Sequence, residues 1–266
     1  MIFFLPSYLN LIICSIIKLL LDRELKMQTN DKPKFYGRRQ GRKIRKAKSG
    51  LLEKFLPLVA VKPSTHISKD IFDSEVDEIY LEIGFGNGEH IAGQSQNNHH
   101  IGFIGAEVFK NGVANLLTLM TGIKENADMP EEIKLLPARV DNLRIWSDDV
   151  RILFSQIPDG CLSKIFLLFP DPWPKKRHAS RRFINPENLV ELARMLKKGG
   201  ILRVATDHKV YKSWTLRRLH ENNNFKWTAK TSNDWRNPPS DWVETKYQKK
   251  AIREGRKPVF LDFERI

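Results

Sequence analysis

The sequence has few cysteines, a deficit of acidic side chains and no internal repeat. Its two cysteines, Cys14 and Cys161, are too few for a zinc cluster or a disulfide framework and are typical of a reducing, cytosolic setting. The 31 Asp and Glu residues face 45 Lys and Arg, so the formal net charge is +14. This excess favours a polyanionic partner, either nucleic acid or an anionic membrane surface. His99, His100 and His178 show no metal-ligand arrangement, and we expect no metal.

Long apolar runs are scarce too, apart from residues 1–21. This stretch carries one charge, Lys18, and is nearly long enough to span a bilayer. Pro6 and Asn10 weaken it as a membrane helix, and a polar sequence begins at Met27. We interpret residues 1–26 as an apolar extension and favour a start at Met27, with a membrane anchor as the alternative. We therefore expect no stable membrane association.

A basic arm follows, for which we assign residues 27–62. Its central part, residues 32–48, is rich in Lys and Arg, has no acid and contains Phe35 and Tyr36. Such a segment is typical of a flexible arm whose cations meet phosphates and whose aromatic rings stack on unpaired bases. Residues 49–62 predict a short amphipathic segment that ends at Pro57. We assign residues 63–266 to one folded domain.

A glycine-rich turn marks the start of the predicted sheet. The apolar strand 79–83 runs into Gly84, Gly86 and Gly88, which allow a sharp turn and close approach to a ligand before a helix. Glu89 stands where the dinucleotide fingerprint needs its third glycine, so that fingerprint is not matched. The pattern of an acid, Ile and then G-x-G-x-G resembles the first motif of the S-adenosylmethionine-dependent methyltransferases.

Acidic residues follow the next two predicted strands. The strand 101–107 ends in Glu107, and a run over 133–140 is followed by Asp141 and a helical-looking segment, 142–154. A carboxylate at a strand end can accept two hydrogen bonds from a ribose diol. The sequence therefore predicts a nucleoside site at the carboxyl edge of the sheet.

The fourth predicted strand, 165–169, ends in a dense group of functional side chains. Pro170 and Pro172 stop the strand around Asp171, and Trp173 comes next. Cations then crowd the loop: Lys175, Lys176, Arg177, His178, Arg181 and Arg182. An acid beside a ring and a cationic loop suits a reaction on a nucleobase held by its phosphates.

The rest of the chain continues the alternation of helices and strands. We predict helices over 186–200 and 209–222, a strand over 201–207 that ends at Asp207, and strands near 225–231 and 259–264. The count is seven strands in one doubly wound domain.

Taken together, the motifs resemble the bacterial tRNA (guanine-N7)-methyltransferases from about Phe35 to the end of the chain. The matching stretches are FYGRRQGRK, LEIGFGNGEH, FIGAEVF, FPDPWPKKRHASRRF, VATDH and TKYQKKAIREGR. The resemblance implies an α/β fold of the Rossmann-like class I methyltransferase type, with a mostly parallel seven-stranded sheet and helices on both faces. It also implies a cytoplasmic enzyme that methylates N7 of guanosine 46 in the tRNA variable loop.

The resemblance further implies roles for individual residues. Residues for the methyl donor, S-adenosylmethionine, are Glu82, Gly84, Gly86, Gly88, Glu107, Asp141, Asn142 and Asp171, of which Asp171 is also the catalytic acid. Residues for the tRNA are Lys175, Arg177, His178, Arg181, Arg182, Asp207, Thr245, Lys246, Tyr247 and Gln248. Asn142 and Ser180 depart from the residues common in the family.

Three alternatives stay open at this point. They are a methyltransferase of the same fold with another target base, a non-catalytic RNA-binding subunit, and a membrane-anchored protein. The sequence also leaves open whether the protein is a monomer or a weak homodimer.

Overall fold

Seven strands form one sheet in the order β3-β2-β1-β4-β5-β7-β6 in the computed structural model, which describes residues 33–123 and 140–266. The strands are β1 (Glu78–Ile83), β2 (Ile101–Ala106), β3 (Leu143–Trp146), β4 (Leu162–Leu168), β5 (Leu196–Thr206), β6 (Phe225–Trp227) and β7 (Val259–Arg265). Strands β1 to β5 run parallel, whereas β7 is antiparallel to both of its neighbours. The strand order reverses at β1, and in open α/β sheets a ligand crevice lies at such a point.

Helices connect the strands and cover both faces of the sheet. They are α1 (the consecutive turns Lys46–Gly50, Leu51–Phe55 and Leu56–Val59), α2 (Glu89–Asn97), α3 (Lys110–Thr121), α4 (Val150–Leu153), α5 (Pro186–Met195), α6 (Lys209–His220), α7 (Asn233–Arg236) and α8 (Lys246–Arg253). The sheet has the predicted seven strands, is mostly parallel with an antiparallel β7, and carries helices on both faces. These features confirm the predicted doubly wound fold.

The core has two layers because the strand side chains alternate between the faces of the sheet. Leu81, Ile165 and Val204 face α4, α5 and α6 in one cluster. The opposite face packs against α1, α2 and α3 in a second cluster, which includes Leu51, Ile91 and Leu116. Burial of these apolar side chains is the main favourable contribution to folding.

The basic arm contributes to this core from its helical half. This half of the arm belongs to the compact unit Tyr36–Ile266. Leu51, Phe55 and Val59 of α1 are buried in the second cluster. Pro57 does not end the amphipathic segment as predicted, because it lies at the start of the last helical turn, where a missing backbone N–H is tolerated.

Two predicted boundaries are wrong. The segment 142–154, predicted as helical, begins with β3, because Leu143 and Ile145 are buried in the sheet. The helix predicted over 186–200 ends at Met195, and β5 begins at Leu196, with a bulge where it pairs with β4. The predicted strand over 133–140 falls almost entirely on residues outside the described part.

The apolar extension over residues 1–26 also lies outside the described residues. Among helices within residues 33–123 and 140–266, none is long and apolar enough to cross a membrane.

Candidate active site

The glycine turn after β1 forms the floor of a site at the carboxyl edge of the sheet. Gly84, Gly86 and Gly88 have φ of 69°, 58° and 84°, a region that side-chain-bearing residues rarely adopt. Gly112 of α3 lies against this turn, since a Cβ added there would lie 2.0 Å from the Gly86 carbonyl oxygen. The turn is therefore held close to α3 and leads directly into the N-terminus of α2.

Glu107 extends from the end of β2 to the same turn. Its Oε2 accepts a hydrogen bond from the Gly86 amide at 2.7 Å, and its Oε1 accepts one from the Phe109 amide at 2.8 Å. Burial raises the pKa of Glu107, although these backbone N–H groups oppose the shift. Each carboxylate oxygen keeps a further lone pair, so the group can still accept from a ligand diol.

Glu82 lies in β1 just before the glycine turn and is buried in the protein interior. It is 3% exposed, and its Oε2 lies 2.7 Å from Nδ1 of the buried His90 in α2. The ring of His90 in turn packs edge-on against Phe166 at 4.7 Å. Glu82 thus supports the start of α2 beneath the turn, whereas Glu107 faces the edge.

The structure does not bring Asp141 and Asn142 to this edge. Both precede β3, and since β3 runs parallel to β2, they lie at the amino edge of the sheet. The Asn142 amide is 1% exposed and donates to the carbonyls of Ser95, Asn98 and Ile101. The predicted placement of these two residues at the carboxyl edge is therefore wrong, because β3 begins after them and not before.

Asp148 is the acid that follows β3 at the carboxyl edge, and sequence reasoning missed it. Its Oδ1 accepts from Arg39 of the arm at 2.8 Å and from the Asp149 amide at the same distance. Asp149 beside it is buried and caps α4 by accepting from the Arg151 amide. The signal in the sequence was the short apolar run LRIW, with two acids close behind it.

Asp171 is exposed immediately beyond the end of β4. The backbone there is unusual, because Phe169 and Trp173 have φ of 49° and 40° without being glycines. Such conformations persist where the surrounding structure imposes them, and they cluster at functional sites. Asp171 is thus presented at the edge by a constrained loop.

Arg182 holds this loop in place from within the protein. It is 5% exposed, and its guanidinium donates to the carbonyls of Pro172 and Trp173 at 2.9 to 3.3 Å. The hydrogen-bond donors of Arg182 are thus directed at the Asp171 loop, and its predicted contact with RNA stays a prediction.

The other predicted cations of the loop remain at the surface. Lys175 and Arg177 are exposed, and Arg181 lies over the rings of Tyr36 and Trp173 at 4.8 and 5.0 Å. His178 packs edge-on against Trp173 at 5.8 Å. Partial desolvation and the positive charges of Arg181, Arg177 and Lys175 lower the pKa of His178, so the ring is neutral at pH 7.

The C-terminal helix α8 places one predicted residue over the glycine turn. Tyr247 covers Gly86, where an added Cβ would lie 2.9 Å from its ring. Burial raises the pKa of Tyr247, and the nearby charges of Glu107, Asp171 and Glu89 raise it further. Tyr247 therefore packs on the glycine turn and lies near enough to the acids at the edge to be influenced by their charge.

The remaining residues of the TKYQ stretch differ in their surroundings. Thr245 caps α8 by accepting from the Gln248 amide at 3.1 Å, and Gln248 accepts from the Trp242 indole at 2.5 Å. Both are buried, whereas Lys246 is exposed. Asp207, at the end of β5, pairs with Arg256.

The carboxyl edge thus combines a glycine turn after β1 with acids after β2, β3, β4 and β5, which are Glu107, Asp148, Asp171 and Asp207. Together with the sheet order, this arrangement defines a Rossmann-like class I methyltransferase, a class that uses S-adenosylmethionine.

Comparison with known proteins identifies the family. A family model described as "Putative methyltransferase" matches residues 77–261. A tRNA (guanine-N(7)-)-methyltransferase of Rhodospirillum rubrum is 42% identical over 87% of this chain and 88% of its own length. Proteins of the same name from Paramagnetospirillum magneticum and Ruegeria pomeroyi are 41% and 42% identical, over 88% and 90% of this chain and 94% and 98% of their own lengths. The chain belongs to the tRNA (guanine-N7)-methyltransferase family.

Proposed function

We propose that this protein transfers a methyl group from S-adenosylmethionine to N7 of a guanosine in tRNA, at position 46 of the variable loop. The observation that carries the proposal is the loop after β4. It presents the exposed Asp171 beside the glycine turn and Glu107, and it continues directly into a surface of cations. Membership of the family supports the choice of substrate and target atom.

The residues at the edge fit the methyl donor. Gly84 has open space where a side chain would stand, and the left-handed turn lets the backbone approach a ligand closely. Glu107 is a buried acceptor at the end of β2, suited to the ribose hydroxyls. We assign Asp148 to the donor site as well, in place of Asp141. When bound, S-adenosylmethionine supplies an electrophilic methyl group on a sulfonium.

The target atom determines what the protein has to do. Guanine N7 carries a free lone pair on the Hoogsteen edge, so no proton has to be removed before attack and no general base is needed. The purine gains positive charge during the transfer. A fixed carboxylate beside it stabilises that charge and can accept from the guanine N1–H, which orients the ring. Asp171 fits both tasks because Arg182 holds its loop rigidly.

The exposed cations of the loop suit the phosphates of the RNA. Lys175, Arg177 and Arg181 follow Asp171 within ten residues, and Lys246 lies beside Tyr247 in α8. Their charges attract RNA without reading sequence, so we expect tRNA binding to weaken steeply with salt. We propose that the protein acts in the cytoplasm, where its tRNA substrate is found, as a monomer or a weak homodimer.

The test uses purified protein, unmodified tRNA and labelled S-adenosylmethionine, with nucleoside mass spectrometry as the readout. We expect 7-methylguanosine at the variable loop with the wild type, and a loss of about a hundredfold or more in kcat for Asp171→Ala. Asp77→Ala, which removes an exposed acid just before β1 at the amino edge, is the matched control and should keep full activity.

The other outcomes separate the alternatives. A different methylated nucleoside would retain the fold and the donor but replace the target base. The absence of transfer, together with the absence of donor binding by calorimetry, would point to a non-catalytic RNA-binding protein.

A further inference from the structure

A second cationic surface lies beside the Asp171 loop. A cleft of about 500 Å³ opens between this loop and α6, and it is lined by Arg182, Lys209, Val210, Ser213, Trp214 and Arg217. None of these six residues is acidic, and the side chains of Lys209, Ser213 and Arg217 are in contact with solvent. The cleft belongs neither to the glycine turn nor to the acids at the carboxyl edge.

The side chains that line the cleft favour a ligand that is negatively charged and accepts hydrogen bonds. The polar side chains of the cleft supply guanidinium, ammonium and hydroxyl groups, which offer hydrogen-bond donors and positive charge. The guanidinium groups of Arg182 and Arg217 lie 4.5 and 5.2 Å from the same Trp214 ring centroid, so two positive charges stand close together at the cleft. A bound anion would offset the repulsion between them.

Trp214 shows which part of an RNA the cleft would take. Three guanidinium groups already lie near its ring centroid, those of Arg182 and Arg218 at 4.5 Å and that of Arg217 at 5.2 Å. Its indole nitrogen donates to the Ile184 carbonyl at 2.6 Å. The ring therefore supports cations and is not available as a platform for an unpaired base.

We propose that this cleft binds phosphodiester groups of the tRNA backbone next to the target guanosine. The proposal rests on the proposed function and extends it by a second RNA contact, made by α6. Arg182 connects the two regions, because the guanidinium at the cleft also donates to the Pro172 and Trp173 carbonyls of the Asp171 loop. Docking of the backbone here would fix the RNA relative to Asp171.

The test is the double variant Lys209→Ala/Arg217→Ala, which leaves Arg182 and its loop intact. We expect the KM for tRNA to rise about tenfold with kcat and donor affinity unchanged. The slope of log Kd for tRNA against log salt should fall by about one per lost contact, or about two in total. Oligouridylate, which carries phosphates but no guanine, should compete with tRNA less effectively against the variant than against the wild type.

The matched control is Lys69→Ala/Lys198→Ala, which removes two exposed cations elsewhere on the surface. A tRNA KM and a salt slope equal to those of this control would overturn the proposal. A fall in kcat at unchanged KM would overturn it as well, because the cleft would then act on the Asp171 loop and not on RNA. If the wild type formed no 7-methylguanosine, the proposed function would fail. The salt dependence of RNA binding, compared between the wild type and the double variant, would still decide the role of the cleft.

Discussion

The carboxylate of Glu107 combines two opposing requirements. Burial favours its protonated form and raises its pKa, whereas a ligand diol is best accepted by the ionised form. The two backbone N–H groups of Gly86 and Phe109 keep the ionised form accessible. The proposed donor site therefore contains an acid whose pKa is raised above that of an ordinary glutamate.

This predicts a pH-dependent donor affinity. Because the raised pKa lies above that of an ordinary glutamate, affinity for S-adenosylmethionine should fall as the pH is lowered over the range from neutral to acidic, and the fall should begin at a higher pH than for an ordinary glutamate, as the acceptor becomes protonated. Glu107→Gln should bind the donor about tenfold more weakly, or worse, at the upper end of this range, since its amide has one acceptor oxygen for the two backbone N–H groups and the diol. Calorimetric titration across this range is the measurement.

The control for Glu107 is Glu75→Gln, which changes an exposed acid and should follow the wild-type profile. A Glu107→Gln variant that retained both the affinity and the pH dependence of the wild type would contradict the assignment of Glu107 to the donor site.

Two adjacent arginines show how residue roles diverge within one motif. Arg181 lies over Trp173 and Tyr36 at the surface, whereas Arg182 is 5% exposed and donates to backbone carbonyls. Both belong to the same run of cations in the sequence. Only the packing of α6 against the loop makes Arg182 an internal support, while Arg181 stays at the surface.

At the scale of elements, the approach of α3 to the glycine turn shapes the site. Gly112 lies in the first turn of α3, and its lack of a side chain leaves room for the Gly86 carbonyl. A Cβ at the same position would lie 3.5 Å from the Cγ of Glu107. The helix therefore fixes the turn and the acid together.

Gly112→Ala should disturb both. An added methyl group 2.0 Å from a carbonyl oxygen forces the backbone to shift, and we expect a loss of about 2 kcal/mol in the free energy of unfolding and much weaker donor binding. Lys110→Ala, at an exposed position of the same helical turn, is the control and should leave both unchanged. Chemical denaturation and calorimetry are the measurements; wild-type values for Gly112→Ala would contradict the close packing of the helix against the turn.

The boundaries of the short elements show the limit of local signals. Strand β3 has four residues, and its apolar pattern continues into the helical turn of α4, so sequence periodicity alone favoured one helix. That single error moved the predicted acid from Asp148 to Asp141.

At the scale of the whole molecule, a network of ion pairs attaches the segment that precedes α8 to the sheet. Asp241 accepts from Lys164 of β4 at 2.7 Å and from Arg203 of β5 at 2.6 Å, while Arg203 also pairs with Asp262 of β7. Burial opposes ionisation of Asp241, but Lys164 and Arg203 outweigh it and lower its pKa to about 2. The network thus positions the segment that leads to Tyr247.

This predicts an acid-dependent contribution to stability. The folded pKa lies below the unfolded value of about 3.9, so the contribution is complete above about pH 4 and disappears as the pH falls towards 2. Asp241→Asn should lower the melting temperature at neutral pH, by the equivalent of about 1 kcal/mol because the side chain is 40% exposed. The difference from the wild type should shrink below about pH 4.

Asp77→Asn makes the same change at an exposed acid and should melt like the wild type at each pH. Thermal unfolding curves at about pH 7, 4 and 3 are the measurement. A difference for Asp241→Asn that stayed constant over this range would exclude the ion pairs as its source.

The sequence by itself determined the sheet, the glycine turn after β1, Glu107 at the end of β2, and the proline-bounded Asp171 with its cations. These features follow from local causes: apolar runs that form strands, glycines with positive φ, and prolines that stop ladder pairing. Only the tertiary structure decided that Asp148 and not Asp141 lies at the carboxyl edge, that Arg182 is buried, and that Tyr247 covers Gly86. Those outcomes depend on strand register and on contacts between residues far apart in sequence, which no local pattern encodes.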